Sequence, residues 1–184
     1  MIIYLHDSRS PYRRYQKFTA HKAASDLEHI VVAPVMSIPK IAQAVIKKAG
    51  KRNNIWLLVM LAHGNKGWLQ LGQGLTAATA SQFGALRPYM TPTGKGIEIL
   101  GCAVASDTPV ADNPFVGLCG TGRSSPTSGV NMLIALAKAV GCTVKGAIDA
   151  QAADTDGRYN GPYVMVKSNG TFDVREGDKV YWSR

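Results

Sequence analysis

Two hydrophobic runs, one unbroken and one interrupted only by Glu98, limit what this chain can fold into. Ile55-Trp56-Leu57-Leu58-Val59-Met60-Leu61-Ala62 leads straight into His63-Gly64, and Ile97-Glu98-Ile99-Leu100 leads into Gly101-Cys102. A half-buried strand alternates apolar with polar residues, so an unbroken run fits a strand covered on both faces, as in a parallel sheet. Open α/β sheets gather ligands and reactive groups at the carboxyl ends of such strands. The two runs therefore predict a fold class and also where in that fold chemistry belongs.

The rest of the chain alternates to match. Ile2–His6 and His29–Ala33 read as short strands, the second closed by Pro34. Ser37-Ile38-Pro39 opens a helix with Ile38, Ile41 and Val45 on one face, Lys47-Lys48 in its last turn and Gly50 as its stop. Residues 64–72 suggest a hairpin beside the main sheet, and Thr76 to Tyr89 one alanine-rich helix. Gly129 to Val140 is amphipathic, Thr143–Ile148 is a strand ending at Asp149, and residues 163–174 form a hairpin about Asn169-Gly170 with an expected type I′ turn. Strand and helix in alternation predict one α/β domain over 1–184, a mostly parallel sheet with helices on both faces and a C-terminal β-hairpin.

Several classes of protein are disfavoured. Cys102, Cys119 and Cys142 are odd in number and contain no C-x-x-C, against both a disulfide framework and a zinc knuckle. His6, His21, His29 and His63 have no metal-ligand spacing, and neither a metal nor an organic cofactor is expected. No run is long enough to span a membrane. The start, Met1-Ile2-Ile3-Tyr4-Leu5, reads as a strand and not a signal peptide, so the expected location is cytoplasmic, with signal-independent secretion left open.

The net charge of +9 is uneven. Residues 1–52 hold ten Lys/Arg against Asp7, Asp26 and Glu28, a surplus of seven, whereas the remainder carries eleven against nine. A basic stretch over residues 9–52, with Arg9, Arg13, Arg14, Lys17 and Lys22 at its start, fits an anionic partner by summed field and counterion release. A solvated basic surface is the plainer reading.

His63 and Cys102 are the candidate catalytic pair. The thiolate is the nucleophile, and an ordinary cysteine is largely protonated at neutral pH, so it needs a base within hydrogen-bond reach. His63 suits that role and that of the acid which later protonates a leaving amine. Taken singly, either residue is more often structural: a cysteine ending a buried strand as a small core residue, a histidine as a loop cap. Two of them, at two strand ends with glycine beside each, carry more weight. No G-x-S-x-G elbow is present, which removes the α/β-hydrolase alternative.

A hydrophobic run ending in His63-Gly64, followed by one ending in Gly101-Cys102, resembles the caspase-like superfamily of cysteine peptidases. That group includes caspases, legumains, gingipains, separases, CHAT-domain proteins and self-cleaving domains of bacterial toxins. The resemblance covers about residues 1–150 and is nearer to the separase, CHAT and toxin-processing type than to the caspase Gln-Ala-Cys-x-Gly signature. It implies a three-layer sandwich and a protein or peptide substrate. It also implies an oxyanion hole at the N–H groups of Gly64 and Cys102, and an S1 pocket near the end of the first strand. Asp7 would there recognise a basic side chain, or Arg9 an acidic one, and Asp149 is a further pocket candidate. A non-catalytic caspase-like binding module and a polyanion-binding protein are the alternatives. Residues 103–128 read as a long loop bordering the cleft, with Arg123 a candidate processing position and Cys119 a second thiol, while Cys142 reads as core.

Overall fold

The computed structural model describes residues 1–10, 26–106, 128–149 and 161–176, together with the backbone of a last strand at 179–183. Its elements in chain order are β1 (Ile2–Asp7), β2 (Leu27–Val32), α1 (Ile38–Ala49), β3 (Leu57–Leu61), β4 (Gly64–Asn65), β5 (Trp68–Leu69) and β6 (Leu75–Thr76). There follow α2 (Ala77–Ala80), a 3₁₀ helix (Ser81–Tyr89), β7 (Gly96–Leu100), α3 (Gly129–Val140), β8 (Val144–Ala147), β9 (Tyr163–Val166), β10 (Phe172–Glu176) and β11 (Lys179–Ser183).

The chain is α/β. Its main sheet has eight strands in the order β11-β10-β9-β8-β7-β3-β1-β2, and β4-β5-β6 form a separate small antiparallel sheet. Strands β2, β1, β3, β7 and β8 pair parallel, and β9, β10 and β11 add antiparallel at one side. The order reverses between β1 and β3, which makes the carboxyl end of that pair the topological switch point.

The crossovers from β2 to β3, β3 to β7 and β7 to β8 all step the same way across the sheet. Right-handed connections then put their helices on one face. Accordingly Ile41 and Val45 of α1, Phe83 and Leu86 of the 3₁₀ helix, and Leu133 and Leu136 of α3 share one core with Ile3, Leu5, Leu58, Met60, Ile97 and Ile99. Ile2, Tyr4, Leu57, Val59, Leu61 and Leu100 form a second cluster on the opposite face. Among the described residues no helix contributes to that cluster, so the expected two-sided helical cover is observed on one side.

Three local expectations are corrected. The segment Thr76 to Tyr89 is not one α-helix: after four residues it tightens to 3₁₀ geometry, in the stretch that contains Gly84 and Pro88, both poor in a helix interior. The Asn169-Gly170 turn is not type I′, because only Gly170 has positive φ (92°). The Gly170 N–H instead closes a four-residue turn on the Lys167 carbonyl at 2.9 Å, with glycine in the following left-handed position. Strand β11, which turns the expected hairpin into a meander, was not anticipated. Ser37 stands at the N-cap of α1 as expected, but its hydroxyl makes no capping hydrogen bond.

Candidate active site

The candidate pair is placed by strand register. Leu61 of β3 pairs with Leu100 of β7 in the parallel ladder. His63 and Cys102 each follow by two residues, so they leave neighbouring strands at the same level, on the carboxyl edge. Asp7 ends β1 on that edge, and Asp149 follows β8 by two residues. Every sequence-predicted site residue therefore lies along one edge of the sheet.

Close backbone approach explains both glycines. A Cβ on Gly64 would lie 2.6 Å from the Cys102 carbonyl oxygen and 3.1 Å from the Cys102 nitrogen. One on Gly101 would lie 2.7 Å from Leu69 Cδ1 and 3.0 Å from the Ala62 carbonyl oxygen. The His63-Gly64 segment thus packs directly on the Cys102 backbone, the arrangement the two proposed oxyanion donors require.

Cys102 opens a tight, buried turn. Ala103 has φ 49°, a left-handed conformation that costs an L-residue with a side chain roughly 1–2 kcal/mol. The turn is over-determined by its neighbours: the Ala103 N–H donates to the Asp149 carbonyl and the Ala105 N–H to the Ala147 carbonyl, both at 2.8 Å. The Ser106 N–H donates to the Ala103 carbonyl at 3.0 Å, and the Gly67 N–H of the small sheet to the Val104 carbonyl at 3.1 Å. Strained backbone held in this way concentrates at functional sites. Ala103, Val104, Ala105 and Ser106 are all buried, so the first residues of the expected 103–128 loop belong to the core. Arg123 and Cys119 lie outside the described residues.

Asp7 and Arg9 pair with each other. The fully buried Asp7 accepts from Arg9 Nε at 2.8 Å, Arg9 Nη2 at 2.8 Å, the Arg9 N–H at 3.0 Å and the Gly72 N–H at 2.9 Å. Four donors saturate a carboxylate. Arg9 Nη2 also donates to the Gly72 carbonyl at 2.6 Å and the Gln70 carbonyl at 3.3 Å. The Asp7 carboxylate is thereby fully paired and buried, while Arg9 keeps part of its side chain exposed; the pair ties the 70–72 turn to the switch point. Asp149 serves the site through its backbone carbonyl, and its side chain is exposed.

Gln70 was not singled out from sequence. It is buried, its Oε1 has no hydrogen-bond partner, and its N–H donates to the His63 carbonyl at 2.7 Å. Nothing in its sequence context marks it, because its neighbour is set by the β4–β5 register. The ring stack of Tyr4, His6 and His29 on the second sheet face was also missed. His6 Nε2 and His29 Nδ1 are 2.8 Å apart. Burial, aided by His29, pushes the His6 pKa down to about 4, and burial lowers that of His29 against the opposing pull of Glu28. Cys142 is half-buried as core, and burial pushes its thiol up to about 12.

Among the described residues no group of three or more His, Cys, Asp or Glu could hold a metal ion, and no helix is long and apolar enough to cross a membrane. Arg13, Arg14, Lys17 and Lys22 lie outside the described residues; of the remaining basic stretch, Lys40, Lys47, Lys51 and Arg52 are exposed, while Lys48 pairs with Glu28 at 2.8 Å. A half-open groove of about 860 Å³ begins at Ala105 and Ser106 and runs between α3 and the β9–β10 hairpin, lined also by Ile134, Ile148 and Phe172, with no charged side chain in its wall. Comparison with protein-family models, curated proteins and solved structures gives no match for this chain.

Proposed function

We propose that this protein is a cysteine peptidase of caspase-like fold, with Cys102 as nucleophile and His63 as general acid/base. The observation that carries the reading is the contact between Gly64 and the Cys102 backbone, at two strand ends in equal register. The strained turn at Ala103 supports it, since backbone strain held by neighbouring hydrogen bonds concentrates at functional sites.

In this mechanism His63 takes the Cys102 proton and the thiolate sulfur bonds to the scissile carbonyl carbon. The carbonyl π pair moves to oxygen, which faces the N–H groups of Gly64 and Cys102. Loss of one such donor typically costs about 3–4 kcal/mol of transition-state stabilisation. Collapse breaks the C–N bond, and His63 returns the proton to the departing amine. Water then hydrolyses the thioester and regenerates the thiol. On this reading the groove that begins at Ala105, three residues after the nucleophile, is room for a peptide.

Thiol labelling tests this. Iodoacetamide at neutral pH should modify Cys102 well before Cys142, whose thiol burial pushes up to about 12, and His63→Ala should slow the Cys102 reaction. Equal rates at the two cysteines in the native protein would remove the catalytic reading.

The exposed cations on and after α1 favour a second reading, a surface for an anionic partner. Retention on a heparin column should then fall steeply with salt. Salt-insensitive elution, or none to speak of, counts against it.

A further inference from the structure

Gln70 is the buried polar group that the proposed mechanism leaves unused. Strand β4 pairs with β5 as Gly64 with Leu69 and Asn65 with Trp68. The hydrogen bond from the Gln70 N–H to the His63 carbonyl carries this register one step further, setting Gln70 directly opposite His63. Directly opposed residues of an antiparallel pair project to the same side, with Cβ atoms about 5 Å apart. That register sends the two side chains to the same side of the pair, with no hydrogen bond joining them in the structure. Gln70 is 6% exposed, and its Oε1 is buried without a partner.

A buried acceptor left unpaired is costly, and native structures retain few without a reason. The backbone around this one is fixed from two sides. Arg9 Nη2 donates to the Gln70 carbonyl, and the saturated Asp7–Arg9 pair holds the turn through Gly72. So much local structure holding one amide at the side of a half-buried histidine calls for a use.

We propose that Gln70 is a positioning residue for His63: its side chain, with Oε1 unpaired here, turns to accept the ring N–H on the imidazole nitrogen that faces away from Cys102. The inference rests on the His63–Cys102 reading of the site. A general base needs one nitrogen bare toward the nucleophile, and the tautomer that provides it is fixed by what the other nitrogen donates to. When His63 takes the thiol proton, both ring nitrogens carry hydrogen and both need acceptors. A neutral amide meets that need with less attraction for the cation than a carboxylate exerts, so the ring remains able to give the proton back to the leaving amine. The Asp7–Arg9 pair then acts on the chemistry at one remove, by holding Gln70.

The test is the titration of His63 followed by NMR of its ring carbons, in wild type, Gln70→Glu and Gln70→Leu, each also carrying Cys102→Ala so that no thiol chemistry intervenes. A carboxylate at position 70 should raise the His63 midpoint by about one pH unit or more. Leucine, similar in size but without an acceptor, should leave the ring exchanging between tautomers. In the Cys102-containing proteins the pH profile of alkylation by iodoacetamide should move with the His63 midpoint in Gln70→Glu. An unchanged His63 titration in folded Gln70→Glu overturns the proposal, whether or not Gln70→Leu folds. If the titration moves but Cys102 is no more reactive than Cys142, the contact stands and the peptidase reading fails.

Discussion

Gly64 packs so closely on Cys102 that a methyl group on its α-carbon would sit 2.6 Å from the Cys102 carbonyl oxygen. The obstacle is backbone, which cannot swing aside as a flexible side chain can, and Val104 Cγ1 would be met at 2.5 Å as well. Gly64→Ala should therefore destabilise by about 1–3 kcal/mol, the usual cost of overpacking a core. It should also lower the rate of Cys102 alkylation, since relief requires the β4 and Cys102 segments to part. Urea unfolding and timed labelling check the two effects. A fully stable, fully reactive variant would show that the segments do not touch.

The Asp7–Arg9 pair predicts an asymmetry. The Asp7 side chain is fully buried, whereas that of Arg9 is 34% exposed. Removing the arginine strands a carboxylate inside the fold, where lone buried charges cost about 3–5 kcal/mol. Removing the carboxylate leaves a guanidinium that still reaches solvent and two backbone carbonyls. Arg9→Met should thus cost clearly more stability than Asp7→Asn in paired denaturant unfolding. Equal losses would mean that the carboxylate finds other solvation.

His6 makes stability depend on pH. Its folded pKa is about 4 against an ordinary 6.5, so between these values the unfolded chain binds more protons than the folded one. Stability is then complete above about 6.5 and is lost as pH falls toward 4. The groups around it do not reverse this. Tyr4 is neutral there, burial and Glu98 having pushed its phenol up, and His29 is itself lowered. From pH 6 to 5 the unfolding free energy should fall with a slope approaching 1.4 kcal/mol per pH unit from His6 alone. His6→Phe, which keeps a ring in the stack, should flatten that slope. If the slope survives the substitution, other groups cause it.

What could be read from the sequence was what local chemistry decides. The β3 and β7 runs gave the buried strands and the edge on which His63 and Cys102 stand, and Pro39 with Gly50 bounded α1 within a residue. What escaped depends on tertiary contact. The mutual pairing of Asp7 and Arg9 escaped because nothing two residues apart announces that both side chains turn onto a loop more than sixty positions away. Gln70 needed the β4–β5 register, and the ring stack needed β1 and β2 to be neighbours. That α1, the 3₁₀ helix and α3 share one face needed the strand order.

Ala103 separates strain from stability. At φ 49° an alanine gives up roughly 1–2 kcal/mol relative to its preferred conformations, a cost glycine would avoid. Ala103→Gly also removes a fully buried methyl, worth about 0.8 kcal/mol, and loosens the unfolded chain by about 0.4–1 kcal/mol. These terms nearly cancel, so its stability should lie within about 1 kcal/mol of wild type. A β-branched side chain is a true outlier at this φ and also overfills the turn, so Ala103→Val should lose about 2 kcal/mol or more. Reactivity should behave differently. If the turn holds the thiol in place, Ala103→Gly frees the residue after Cys102 and should slow iodoacetamide severalfold at almost unchanged stability. Alkylation as fast as in wild type would show that the hydrogen bonds to Asp149 and Ala147, and not the conformation of Ala103, fix the nucleophile.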